Sequence, residues 1–89
     1  MIHDPFDRTA DSLMAPAGDC FAIAPDDSSE LTRATKAIYV GQAGDIALVP
    51  VRGSSAVIFR NVPAGTILDV RVRAIRATGT NAGDIVGLT

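Results

Sequence analysis

The side chains able to do chemistry are few in this chain of 89 residues, and their positions do not bring them together. Cys20 is the single cysteine and His3 the single histidine. A reactive thiolate needs a cationic neighbour, whereas Cys20 has Asp19 beside it and Asp26-Asp27 just downstream. That surrounding predicts a buried, structural cysteine. A structural zinc site takes about four N or S ligands, more than one Cys and one His supply. Asp26-Asp27 lies in Pro25-Asp-Asp-Ser-Ser, which is turn chemistry. Glycosidase carboxylates must converge across a cleft, and the ligand spacing of a dedicated calcium loop is absent, so the pair reads as turn residues. Neither Gly41-x-x-Gly44 nor Gly79-x-x-x-Gly83 precedes a helical pattern, so neither can present a helix N-terminus to phosphate. No catalytic residue, metal site or cofactor is expected, and the chain reads as a non-enzyme.

Arg71 and Arg73 are the remaining candidates. They fall on one face of an alternating segment with Asp69 beside them. A nucleic-acid surface calls for a basic domain, and this chain has a pI of about 5.0. A solvated sheet face or a contact with an acidic partner fits better. The charge is unevenly spread. Residues 1–30 hold seven acids (Asp4, Asp7, Asp11, Asp19, Asp26, Asp27, Glu30) and one base, Arg8. Residues 31–89 hold three acids (Asp45, Asp69, Asp84) and seven bases. Opposite charges attract over roughly 8 Å at physiological salt, so an acidic arm can lie on the basic body of its own chain or of a neighbour.

The elements that must position these residues are short strands. Residues 1–19 read as an extended arm: Pro5 and Pro16 interrupt any helix, and a lone turn at Asp11-Ser-Leu-Met-Ala is marginal in water. The arm is either a disordered tail or a docking arm with Phe6, Leu13 and Met14 as its apolar anchors. It lacks a basic n-region and an apolar core, so no secretory signal is expected. No apolar run approaches the roughly 20 residues of a membrane span. The expectation is a soluble chain made in the cytoplasm that contacts neither membrane nor nucleic acid.

Residues 20–89 read as one β-domain. Cys20-Phe-Ala-Ile-Ala alternates weakly, and β-branched and aromatic enrichment predicts a strand over 34–40. Further strands are expected over 45–51, 56–62 and 84–89, with Pro63-Ala-Gly65 as a β-turn. Pro50 cannot donate to a ladder, so its strand is expected to be an edge or to bend near its end. The longest strand is expected from Thr66 to about Ala77, with Leu68, Val70, Val72 and Ala74 on its buried face. Its alternation slips after Ala74, which predicts a β-bulge there. Ala43-Gly-Asp-Ile and Ala82-Gly-Asp-Ile echo each other as one hairpin design used twice, with Asp45 and Asp84 closing the turns. The fold class expected is all-β: a small antiparallel sandwich or barrel-like domain of about six short strands behind an extended N-terminal arm.

A globule of this size buries only about 60–65% of its unfolded surface, and small domains usually need disulfides, metals or oligomerisation. With one cysteine and one histidine, oligomerisation is the support left. Aromatics are limited to Phe6, Phe21, Tyr39 and Phe59, a poor supply of rings for stacking on sugars or bases.

Three stretches taken together resemble a known family: Ala37-Ile-Tyr-Val-Gly, then Asn61-Val-Pro-Ala-Gly-Thr, then Gly83-Asp-Ile near the C-terminus. Over roughly residues 32–88 the chain resembles the head spike base proteins of the Rhodobacter gene transfer agent and related tailed phages. The resemblance implies a structural virion protein at the capsid vertices, carrying a fibre that helps the particle attach to cells. It further implies a homopentamer matched to the five-fold vertex, with the major capsid protein and a head fibre protein as partners, on a particle assembled in the bacterial cytoplasm. It transfers no catalytic or binding residues, and it leaves residues 1–31 outside the match. Other readings of the same size and class are another phage head decoration or tail-tip protein, or a stand-alone carbohydrate-binding β-module.

Overall fold

The computed structural model describes residues 16–89. Phe6, Leu13 and Met14 lie outside the described residues. Seven strands follow in order: β1 (Cys20–Ile23), β2 (Ala37–Gln42), β3 (Gly44–Pro50), β4 (Val57–Val62), β5 (Thr66–Leu68), β6 (Val72–Arg76) and β7 (Gly83–Leu88). No helix occurs among the described residues. The strands form two antiparallel sheets, a four-stranded one in the order β1-β7-β2-β5 and a three-stranded one in the order β4-β3-β6. The core lies between them and is built from aliphatic side chains, chiefly Ile38, Val40, Ile46, Leu48, Val72, Ile75 and Ile85.

The seventh strand arises because the segment expected as one long strand is two. Thr66–Leu68 belongs to the four-stranded sheet and Val72–Arg76 to the other. At the corner the Val70 amide donates to the Leu68 carbonyl (2.9 Å), a tight three-residue turn that redirects the chain. Leu68, Val70 and Val72 still turn toward the core, so the alternation continues around the corner. The expected bulge lies one residue from Ala74. Val49 pairs with Ala74 and Pro50 with Val72, which leaves Arg73 as the extra residue of β6. The slip lets Val72 and Ile75, three apart, both face inward, while Ala74 pairs with Val49 on the outer side.

Pro50 is not on an edge. β3 is the central strand of its sheet, and Pro50 stands at its end, where the ladder to β6 shifts register. Ile46, Ala47, Leu48 and Val49 are all buried. Ile46 and Leu48 face the other sheet, while the loop after β6 folds over Ala47: the Ala47 amide donates to the Thr80 hydroxyl (2.8 Å), and Gly79 lies against the Ala47 side chain.

The two Ala-Gly-Asp-Ile segments do not make hairpins. β2 runs into β3 through Ala43 alone, and in doing so crosses from one sheet to the other; β6 to β7 crosses back. The two crossings touch. A Cβ on Gly44 would sit 2.7 Å from the Ala82 amide nitrogen, so only glycine permits this approach. Asp45 and Asp84 are each the second residue of a strand, but Asp84 alone adopts a left-handed backbone (φ 50°).

Candidate assembly interface

The free edge of β6 is closed by the chain itself. Residues 26–35 run along it: the amides of Asp26, Leu31 and Thr35 donate to the carbonyls of Ile75, Arg73 and Val72 at 2.9, 2.8 and 3.0 Å. Asp26 shapes the start of this segment by accepting from the amides of Ser28 (2.8 Å) and Ser29 (3.1 Å) and from the Ser28 hydroxyl (3.0 Å). Those bonds, led by the Ser28 amide, hold the Asp26 carboxyl below its ordinary range. Asp27 ties the segment to the far loop by accepting from the Thr78 amide (2.8 Å) and hydroxyl (2.7 Å), which lowers its carboxyl in the same way. The turn reading of Asp26 stands; Asp27 also makes a long-range tie.

Arg73 is part of this closure. Its guanidinium pairs with Glu30 and donates to the Gly53 carbonyl (3.0 Å), clamping the covering segment to the turn after β3. Arg71 is exposed and makes no ion pair with a described residue. With Pro50, Val51 and Arg52 it lines an open depression of about 270 Å³. The two arginines expected to share a surface therefore differ: Arg73 is engaged within its own chain, and Arg71 faces out beside Arg52.

Cys20 is exposed, which corrects the expectation of a buried cysteine. It opens the edge strand β1 on the outer side of the four-stranded sheet, while Phe21 and Ile23 take the inner side. Asp19, just before it, pairs with Arg33 (3.2 Å), and the Arg33 guanidinium lies 5.2 Å from the Phe21 ring centre. The Cys20 amide, ahead of Arg33, lowers the Asp19 carboxyl. Among the described residues no three His, Cys, Asp or Glu side chains gather as metal ligands.

The surface features that spacing alone did not reveal are apolar. Ala22 pairs with Val86, Val86 with Tyr39, and Tyr39 with Ile67. Residues directly opposite across a ladder share a face, so these four form one row across the outer side of the four-stranded sheet. Tyr39 is 38% exposed and Ile67 59%. A second apolar group, Val57 (49%) and Ile58 (43%), sits on the edge strand β4. The period-2 pattern of β2 is visible in the sequence, but which strands lie beside it, and so the row, is not.

No family model and no curated relative matches this chain. A chain in a solved structure, described as the capsid of a native GTA particle computed with C5 symmetry, does match. It superposes with a TM-score of 0.83 at 38% identity, covering 98% of this chain and 100% of that one. The chain belongs to the gene transfer agent capsid-protein family. The likeness reaches well beyond residues 32–88. This capsid protein is a structural virion component. That assignment agrees with a non-catalytic role.

Proposed function

We propose that this capsid protein is the base of the head spike: a ring of five copies at a capsid vertex that joins the shell to a fibre used in attachment to cells. The observation that carries the reading is the full-length likeness, at 38% identity, to a capsid component from a C5 reconstruction. The ordered motifs Ile38-Tyr-Val-Gly, Asn61-Val-Pro-Ala-Gly-Thr and Gly83-Asp-Ile support the same assignment. The partners are then the major capsid protein below and the fibre protein above. In this account residues 1–19 form the anchoring arm, with Phe6, Leu13 and Met14 as its apolar contacts, and 20–89 form the ring domain. Arg71, exposed beside Arg52 and without an ion pair among the described residues, suits an acidic partner; Arg73 holds the domain that presents it.

Particles assembled without this chain test the reading. They should keep an intact shell, lack vertex spikes in electron micrographs, and adsorb poorly to recipient cells. Intact spikes with a changed tail tip, or a shell stripped of decoration away from the vertices, would favour the tail-tip or head-decoration reading instead.

A further inference from the structure

We propose that neighbouring copies meet through two unlike apolar surfaces: the Tyr39–Ile67 face of one copy against the Val57–Ile58 edge of the next. The inference rests on the ring reading above and names the surfaces that would close it.

Large hydrophobic side chains are exposed at four described positions, and these fall into two groups on two different sheets. The first is a sheet face. The row Ala22, Val86, Tyr39, Ile67 crosses four strands without a charged residue, as expected of an interface centre rather than a wet surface. The second is a strand edge. The β6 edge is covered by residues 26–35, but no described backbone group bonds to β4 except from β3. Open edges are normally guarded by charge, proline or a bulge. β4 has such guards only at its far end, where Arg60 and the left-handed Asn61 stand. Val57, Ile58 and Phe59 carry none.

Symmetry decides the occupant. A closed ring of more than two copies cannot use one self-complementary patch; each copy must offer two different surfaces, each meeting the other kind on its neighbour. The five-copy ring proposed above requires that arrangement, and this domain carries one face and one edge, both apolar. A face-to-face contact of two Tyr39–Ile67 rows would instead stop at a dimer and leave β4 open.

The test is native mass spectrometry of the full chain and two variants, Ile67→Asp and Val57→Glu, with circular dichroism to verify the fold of each. Wild type is expected at five times the monomer mass of 9.2 kDa. Each variant alone is expected to lose the ring and run as a monomer. Mixed, the two should recover a heterodimer, because the intact edge of Ile67→Asp copies meets the intact face of Val57→Glu copies. Thr32→Glu, on the exposed covering segment, should leave the ring unchanged. Rings that persist in either folded variant, or folded variants that stay monomeric when mixed, overturn the two-surface interface while leaving the pentamer standing. A wild-type monomer at every concentration overturns both.

Discussion

The Thr35 hydroxyl accepts the amide hydrogen of Val72 at 3.2 Å, while the Thr35 amide donates back to the Val72 carbonyl at 3.0 Å. Both residues are fully enclosed, with Thr35 only 1% exposed. Val72 begins β6 at the corner where the chain changes sheets. Thr35→Val keeps the shape and removes the acceptor. Leaving a buried amide unpaired costs about 1–3 kcal/mol, so that loss is expected in denaturant unfolding. Thr35→Ser should lose less, since it keeps the oxygen.

Gly87 pairs with Phe21 and Ile38 on the core side of the four-stranded sheet. A Cβ there would fall 2.8 Å from the Phe21 ring and 3.0 Å from the Thr35 methyl. Gly87→Ala should therefore overpack the core, at roughly 1–3 kcal/mol. Adding Phe21→Leu should restore part of the loss, a coupling that a double-mutant cycle measures.

Asp45 stands where the β3–β4 ladder shifts register, Gly44 pairing with Val62 and Ile46 with Phe59, which leaves an extra residue as a bulge in β4. Its carboxylate accepts the Asn61 amide (2.9 Å) and pairs with Arg60 (3.1 Å), while Asn61 holds a left-handed backbone (φ 57°). Asp45→Ala should destabilise the domain by about 1.5–3 kcal/mol, the usual worth of a hydrogen bond to a charged group. Asn61→Val, forced into the left-handed region, should also lose stability, whereas Asn61→Gly should be close to neutral.

Acid should open the covering segment before the core. Asp26 and Asp27 both have folded carboxyls held below the ordinary range by their hydrogen bonds. Their stabilisation is fully present above the unfolded value of about 4 and is lost as pH falls through the lower folded values. Hydrogen exchange on the Asp26, Leu31 and Thr78 amides should accelerate in that acid range relative to the amides of β2. Asp27→Asn should weaken the pH dependence at Thr78.

Much of this fold was legible in the residue pattern. Turn residues marked most strand ends, and the slip after Ala74 pointed to a bulge one residue away at Arg73. The split at Asp69-Val70-Arg71 was not legible: the corner contains no glycine or proline, and the alternation continues through it because both sheets bury the same side. For the same reason Ala43 and Ala82 looked like hairpin positions. A crossing between sheets and a turn within one use the same small residues, and only the tertiary pairing separates them. The long-range ladder also decided which surface stayed exposed. It placed Tyr39 beside Ile67 and Val86, spent Arg73 on Glu30 and Gly53, and turned Cys20 outward.

A symmetry-applied reconstruction of the particle vertex, with this chain carrying a C-terminal density tag, tests the central claim most directly. Five copies of the seven-stranded sandwich around the vertex axis, between shell and fibre, is the result the account predicts. Tag density confined to the tail, or spread over the shell away from the five-fold positions, would contradict it.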